Sequence, residues 1–198
     1  MKMERNKVMY RTMQAAFATR DGETEDAPVI EGYFAVFDSN YDMGYGMSES
    51  IAPGAFTEAL SGDVRALIDH DTRLVLGRTT AHTLELREDS HGLWGKIYIN
   101  PRDSEAMNLY ERVKRGDVSQ CSFGFEILSE ETSFPADGQI HWRIKKVQLY
   151  EVSCCTYPAY EETDISARRK DKEQIEKRKA EAWKSSLLEK LKGEKKAC

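Results

Sequence analysis

Residues 120–127 read Gln-Cys-Ser-Phe-Gly-Phe-Glu-Ile, an alternation that predicts a β-strand. Successive side chains of a strand point to opposite faces, so Cys121, Phe123 and Phe125 share one face while Ser122 and Gly124 share the other. We expect the apolar face to anchor the strand in a core and to aim Ser122 outward. Gly124 would leave room beside the hydroxyl for a substrate backbone. This arrangement suits a rigidly mounted serine nucleophile, although serines also alternate with aromatic residues in ordinary strands.

Two further side chains have the chemistry that such a serine needs. His70 lies at the end of a short predicted strand, and a serine hydroxyl becomes reactive when a base such as histidine takes its proton. On the sequence alone, a histidine here is more typical of a turn that ends a strand. Glu151 shares a predicted strand face with Val147 and Leu149, where a carboxylate needs a partner. An imidazole N–H would satisfy it and be oriented in return, and a nearby Lys or Arg would satisfy it as well.

Other chemistries have weaker signals. Cys121 would also pair with a histidine, but on the face of the two phenylalanines its thiol should be buried and inert. The four histidines are scattered, and the adjacent Cys154 and Cys155 point to opposite faces of a strand, so we predict no metal site. The sequence has no glycine-rich phosphate-binding motif, and we predict no cofactor.

The elements around these residues are mostly strands. The sequence predicts a mainly β fold with helices, arranged as a closed or nearly closed barrel and followed by a C-terminal helical tail. Predicted strands cover 28–37, 63–70, 121–128 and 140–153, a predicted hairpin covers 83–99, and predicted helices cover 53–60 and 104–115.

Charge divides the chain into two parts near Tyr160. The 198 residues have a formal net charge of −5, but residues 1–160 contribute −8 and residues 161–198 contribute +3. We expect a body over 1–160 and a charged tail that forms a helix with an apolar stripe, which either remains solvated or docks on a partner. The stripe comprises Ile175, Ala182, Trp183, Leu187, Leu188 and Leu191.

The same composition limits location and partners. No apolar run is long enough to span a membrane, and the N-terminal residues have no apolar stretch typical of a secretory signal. We therefore expect an intracellular protein with reduced cysteines. The negative net charge argues against nucleic acid as a partner.

In its motifs and their order, the body resembles the prohead (capsid maturation) proteases of tailed phages, which are related to the herpesvirus assemblins. The resemblance runs from about residue 10 to 160. The motifs are Glu-Gly-Tyr-Phe-Ala-Val-Phe at 31–37, Ile-Ala-Pro-Gly-Ala-Phe at 51–56, Leu-Ile-Asp-His-Asp at 67–71, Leu-Gly-Arg at 76–78, Ser-Phe-Gly-Phe at 122–125, Tyr-Glu-Val-Ser at 150–153 and Pro-Ala-Tyr at 158–160.

The resemblance implies an assemblin-like β-barrel serine endopeptidase over 1–160, with Ser122 as nucleophile and His70 as base. Members of the family use an acid or a second histidine as the third member, and we favour Glu151 over His141. Asp69 stands where Asn is frequent and Gln120 where Gly is frequent, and neither departure touches a proposed catalytic atom.

The resemblance also implies a biological setting. The expected partners are the major capsid protein with its scaffolding region and the chain itself, through self-cleavage. The expected location is the prohead, in the cytoplasm of a bacterial host. The herpesvirus relatives dimerise, which leaves a homo-oligomer open here. The 161–198 tail would dock on scaffold or be removed by self-cleavage. The competing hypothesis is a non-enzymatic capsid-assembly scaffold module.

Overall fold

A computed structural model describes residues 8–20, 28–136, 138–157 and 162–194 of the chain. Within the last range, side chains are described for residues 168–186. The chain divides into two compact units, residues 1–160 and 161–198. The interpretation of these units as protease domain and tail stays a prediction.

The first unit is built mainly from strands. Eleven strands lie in the described part of the chain, and one long helix, α1, stands between β9 and β10. The strands are β1 (Met9–Gln14), β2 (Ala18–Arg20), β3 (Val29–Val36), β4 (Tyr41–Gly44), β5 (Met47–Ile51), β6 (Arg65–Ile68), β7 (Asp71–Arg78), β8 (Leu84–Glu88), β9 (Gly92–Tyr98), β10 (Gln120–Ser133) and β11 (Ile140–Cys155).

The larger sheet is organised around two long strands, β10 and β11. They pair in antiparallel fashion, and the sheet continues from β10 to β1 and from β11 to β5 and β4. The C-terminal end of β11 pairs instead with β6, in parallel, from Glu151↔Arg65 to Cys154↔Ile68. The hairpin β6–β7 is thereby attached beside the end of β11. This pairing brings the β6–β7 turn next to residues that are about eighty positions later in the chain.

The smaller sheet has the order β2-β3-β9-β8 and is entirely antiparallel. Its inward side chains, such as Phe34 and Ile97, belong to the same buried cluster as Phe123 and Val152 of the larger sheet. A single apolar core therefore joins the two sheets. The mainly β fold class with helices, one of them C-terminal, is confirmed.

Helix α1 (Ser104–Arg115) agrees with its prediction at both ends. The side chain of Asp103 accepts hydrogen bonds from the backbone N–H groups of Glu105 and Ala106, which caps the first turn. Gly116 adopts φ = 89° and closes the helix in the left-handed conformation that glycine favours. The apolar stripe of the helix, including Leu109 and Tyr110, is buried.

The predicted helix over 53–60 was wrong. Gly54 has φ = 89°, which interrupts a right-handed helix, so the chain forms turns there and only a short 3₁₀ segment at Ala59–Ser61. The carboxylate of Glu88 accepts hydrogen bonds from the Gly54 N–H and the Thr57 hydroxyl. A side chain of β8 therefore helps to hold this segment, together with its own turn hydrogen bonds such as Leu60 N–H to the carbonyl of Phe56.

The second unit contains helix α2 (Glu162–Glu194). Trp183 is 65% exposed and Ile175 is half-buried. Leu187, Leu188 and Leu191 of the predicted stripe belong to the helix, but their side chains lie outside the described ones. Across the described ranges, neither helix has the apolar length that crossing a lipid bilayer would require.

Candidate active site

His70 lies in a tight turn between β6 and β7. Ile68 pairs with Asp71, so Asp69 and His70 are the two central residues, with φ values of 47° and 61°. Two successive left-handed residues are typical of a type I′ hairpin turn, which Asn and Gly usually occupy. A histidine in this conformation is under backbone strain that the surrounding contacts must offset. Strain of this kind is common where a side chain must be aimed at a functional site.

Asp69 fastens this turn to the end of β11. Its two carboxylate oxygens accept hydrogen bonds from the backbone N–H of Thr156 (2.7 Å) and from the Thr156 hydroxyl (2.9 Å). Its own N–H donates to the carbonyl of Cys154 at 3.1 Å. Asp69 was expected to matter only in detail, yet it fixes the backbone next to His70.

The imidazole of His70 meets Glu151. Nδ1 of His70 lies 2.8 Å from Oε1 of Glu151, and the two side chains are 19% and 9% exposed. The second carboxylate oxygen accepts a hydrogen bond from the hydroxyl of Ser153 at 2.6 Å. Both oxygens of this buried carboxylate therefore have partners, which offsets the cost of removing its charge from water.

Ser122 lies on the strand that neighbours Glu151. In the register of the sheet it is opposite Ser153 on β11 and Thr12 on β1, so these three side chains share a face. Glu151 is opposite Gly124, one row along that face, and Cys155 is opposite Gln120, one row in the other direction. Ser122 therefore lies in the row between Glu151 and Cys155.

The imidazole covers this row. Besides Glu151, it contacts Sγ of Cys155 through Nε2 at 3.8 Å, and its ring meets that of Tyr10 edge-on with centroids 4.4 Å apart. Tyr10 is opposite Gly124 and Cys155 is opposite Gln120, so the contacts of His70 flank Ser122 on both sides. The described fold thus brings Ser122, His70 and Glu151 to one place.

Ser122 differs from its prediction in exposure. It points away from Phe123 and Phe125, as expected, but it is fully buried instead of facing outward. Its strand is central in the sheet, between β1 and β11, and the turn with His70 lies over the outer face. The hydroxyl of Ser122 has no hydrogen-bond partner among the described residues. A buried hydroxyl without a hydrogen-bond partner lowers the stability of the fold, so its presence calls for an explanation such as a catalytic role.

Gly124 has a different role from the expected one. A Cβ at this position would lie 2.5 Å from Oε1 of Glu151 and 3.0 Å from Cε1 of Tyr10. The space that glycine leaves is therefore taken by the carboxylate and the tyrosine ring, not held open for a substrate backbone. The glycine allows Glu151 to lie flat against β10 beside Ser122.

The cysteines near Ser122 are poor nucleophiles. Cys121 is fully buried, with Sγ 3.3 Å from the carbonyl of Tyr33, and burial raises the pKa of its thiol to about 12. Burial also raises the pKa of Cys155, whose Sγ faces Nε2 of His70. Among the described residues, no three His, Cys, Asp or Glu side chains are grouped closely enough to hold a metal ion.

His141 is held elsewhere. Its Nδ1 and Nε2 lie 2.8 and 2.9 Å from the hydroxyls of Ser48 and Ser50 on β5. It is ten residues from Glu151 along β11, roughly 33 Å in an extended strand. The structure does not bring His141 near His70.

Comparison with known proteins decides the family. Residues 15–178 match the family model of the caudovirus prohead serine proteases. The chain belongs to this family. The matched region includes every residue of the site described above except Tyr10 and Thr12, and it extends into α2.

Two relatives support the membership in this prohead serine protease family. The prohead protease of Enterobacteria phage HK97 is 31% identical over 145 residues, which are 71% of this chain and 60% of that protein. The chain thus spans about three fifths of the length of that relative. The solved structure of the bacteriophage T4 capsid assembly protease matches with a TM-score of 0.52 at 10% identity, covering 77% of this chain and 98% of that one. The latter similarity shows a shared fold.

Three residues of this candidate site were not expected from the sequence. Ser153 bonds Glu151, Tyr10 packs on the imidazole, and Cys155 faces Nε2. Ser153 and Cys155 had a signal, because they share a strand face with Glu151 in the alternation of β11. Tyr10 had none, because its position depends on the pairing of β1 with β10.

Proposed function

We propose that this chain is a serine endopeptidase with Ser122 as nucleophile, His70 as general base and Glu151 as the group that orients the base. The main observation is that the buried hydroxyl of Ser122, one row from Glu151 in the sheet, has no hydrogen-bond partner in the described part of the chain. Membership in a family of prohead serine proteases supports the same reaction class.

The proposed roles of Glu151 and Ser122 follow from the ring nitrogen of His70 that each of them uses. Glu151 accepts a hydrogen bond from Nδ1–H of His70, which leaves Nε2 with a lone pair to take the proton of Ser122. The oxygen of Ser122 attacks the scissile carbonyl, the imidazolium then protonates the leaving amine, and water hydrolyses the acyl-enzyme. Glu151 holds the tautomer and stabilises the imidazolium that forms in between.

The described conformation is a closed form of this proposed site. Ser122 is fully buried, Nε2 of His70 lies 3.8 Å from Sγ of Cys155, and the serine hydroxyl makes no hydrogen bond to any described residue. We infer that substrate binding opens the face around His70 and turns Nε2 from the thiol toward Ser122. Hydrogen bonds between catalytic groups are often loose before substrate binds.

For substrates, we propose the scaffolding region of the major capsid protein and this chain itself, cleaved inside the prohead in the bacterial cytoplasm. The names of the HK97 and T4 relatives, a prohead protease and a capsid assembly protease, support this assignment. Inside a closed shell the local concentration of enzyme is high, so weak self-association would suffice if the active form is a homo-oligomer.

The test is co-expression with the neighbouring capsid gene, comparing wild type with Ser122→Ala. We expect wild type to cleave the capsid protein and to lose terminal pieces of itself, as read by intact mass. Ser122→Ala should cleave neither while keeping its circular dichroism spectrum. Cleavage by the folded variant would exclude Ser122. If neither protein cleaves anything, the chain is a non-enzymatic assembly module.

For residues 161–198 we propose a docking role toward scaffold, ended by self-cleavage. The support is the exposed Trp183 on α2 and the positive charge of the segment against the negative charge of the body. Truncation near residue 165 should preserve cleavage of a peptide substrate and reduce incorporation into proheads. The point variant Trp183→Ala should weaken incorporation in the same direction. Normal incorporation of the truncated form would exclude the docking role.

A further inference from the structure

Two buried serines face each other across β10 and β11 and differ only in their partners. Ser122 and Ser153 are directly opposite in register, and both are fully buried. Ser122 has no hydrogen-bond partner among the described residues, whereas Ser153 has two. A serine hydroxyl that donates to a carboxylate and accepts from a backbone N–H has its main bonding capacity filled. Residue type alone does not distinguish these two serines, but their hydrogen bonds do.

The two hydrogen bonds of Ser153 join it to His70 and Glu151, the two residues proposed to activate Ser122. Its hydroxyl donates to Oε2 of Glu151 at 2.6 Å and accepts from the backbone N–H of His70 at 3.3 Å. The first bond fixes the rotation of the carboxylate, so that Oε1 faces Nδ1 of His70. The second bond fixes the backbone of the strained turn that carries the imidazole.

We propose that Ser153 is a positioning residue for the His70–Glu151 pair, an inference that rests on the proposed function. Without its hydroxyl, Oε2 of Glu151 would be left unsatisfied in a buried setting, and the carboxylate would rotate to find another donor. Oε1 would then leave Nδ1, and the imidazole would lose the contact that keeps its proton on Nδ1 and its lone pair on Nε2.

The kinetic test compares Ser153→Ala with Ser50→Ala in the full chain. Ser50 also has a buried hydroxyl bonded to an imidazole, that of His141, but lies away from the site. Ser153→Ala should lower kcat by about tenfold to hundredfold, the value of one hydrogen bond to a charged group, while KM stays within about twofold. Ser50→Ala should leave both constants unchanged within about twofold. Equal effects of the two substitutions would overturn the proposal.

A second pair of variants at position 153 separates the effect of the hydroxyl from an effect on packing. Ser153→Thr and Ser153→Val add nearly the same volume, and only the threonine keeps a hydroxyl. The threonine variant should exceed the valine variant at least about tenfold in kcat. Equal values would mean that position 153 acts through packing, which would contradict the proposal.

A spectroscopic test does not depend on activity. In the Ser122→Ala background, nitrogen-15 NMR at about pH 8, where imidazole is ordinarily neutral, reports which ring nitrogen of His70 is protonated. We expect Nδ1–H alone with Ser153 present and a mixture of both tautomers in Ser122→Ala/Ser153→Ala. An unchanged tautomer would overturn the role of Ser153. Because this signal exists without catalysis, failure of the proposed function would leave it readable.

Discussion

The buried carboxylate of Glu151 takes its proposed role from the two side chains that donate hydrogen bonds to it. The alternation of β11 predicted that it would share a face with Val147 and Leu149 and need a donor. The face was wrong: a bulge at Tyr150 shifts the register, so Glu151 lies on the side of Ser122 and Ser153 while Leu149 points into the core. His70 and Ser153 are the donors in the structure, and within the described ranges no Lys or Arg forms an ion pair with it. The residue types could be predicted from the sequence. The pairing could not, because it joins positions about eighty residues apart through the β6–β11 ladder.

The acid therefore gives a specific prediction. Glu151→Gln keeps the volume and one carbonyl oxygen but removes the charge and permits the amide to face Nδ1 the wrong way. We expect kcat to fall by roughly three to four orders of magnitude, as in Ser-His-Asp triads, with the fold retained. Steady-state hydrolysis of a peptide substrate by wild type and Glu151→Gln measures this loss of kcat.

His141→Gln is the control for that experiment and should stay within about twofold of wild type. Near wild-type activity of Glu151→Gln would instead favour a Ser-His dyad. A loss in His141→Gln that matches the loss in Glu151→Gln would revive His141 as third member.

The thiols beside Ser122 lead to a second prediction. Only a thiolate reacts rapidly with iodoacetamide, and the pKa of Cys121 is raised to about 12, so this thiol remains protonated until the pH approaches that value. Treatment at about pH 8 should therefore leave hydrolysis intact within about twofold. The experiment is done in the Cys198→Ser variant, so that alkylation of this cysteine, which lies outside the described residues, does not contribute to the result. Inactivation that tracks with alkylation of Cys121 in peptide maps would reverse the choice of nucleophile.

At the scale of elements, the β6–β7 turn shows what the sequence could and could not predict. The strands, the hairpin 83–99 and helix α1 follow from alternation, turn residues and caps, and the structure has each of them. The strand predicted over 63–70 ends at Ile68, and the helix predicted over 53–60 is absent. Both differences come from left-handed residues, at Gly54 and at Asp69 and His70, whose conformation neighbouring contacts stabilise.

This strain predicts an order of stability. His70→Gly and His70→Ala both remove the imidazole, but only glycine adopts φ near 61° without steric cost. We expect His70→Gly to be more stable than His70→Ala by about 1 kcal/mol, because relief of strain exceeds the larger unfolded-state entropy of glycine. Urea unfolding of the two inactive variants measures the difference. If alanine is equal or better, the turn is not strained in solution.

At the scale of the whole molecule, the net charge of −5 conceals an acidic body and a basic C-terminal segment. The division of the chain into units 1–160 and 161–198 lies where the composition changes. The family match ends at residue 178, inside α2, so the first turns of this helix belong to the prohead protease family as well. Composition predicts a boundary near residue 160, but it does not predict that the family match continues past this boundary to residue 178.

The proposed nucleophile is buried at rest and would become reactive when the face around His70 opens. Such a serine should still be captured by a small electrophile, because an enclosed site opens transiently on fast timescales. A fluorophosphonate reagent forms a covalent bond to an activated serine oxygen and displaces fluoride.

The most direct measurement is therefore the mapping of that label by mass spectrometry on the intact chain. We predict one phosphonyl group per chain, on Ser122, with loss of peptidase activity in proportion to labelling. Labelling should be strongly slowed in His70→Gln. A protein that hydrolyses its substrate while Ser122 remains unlabelled, or whose inactivation tracks with a label on Ser153 or any other residue, would contradict the account.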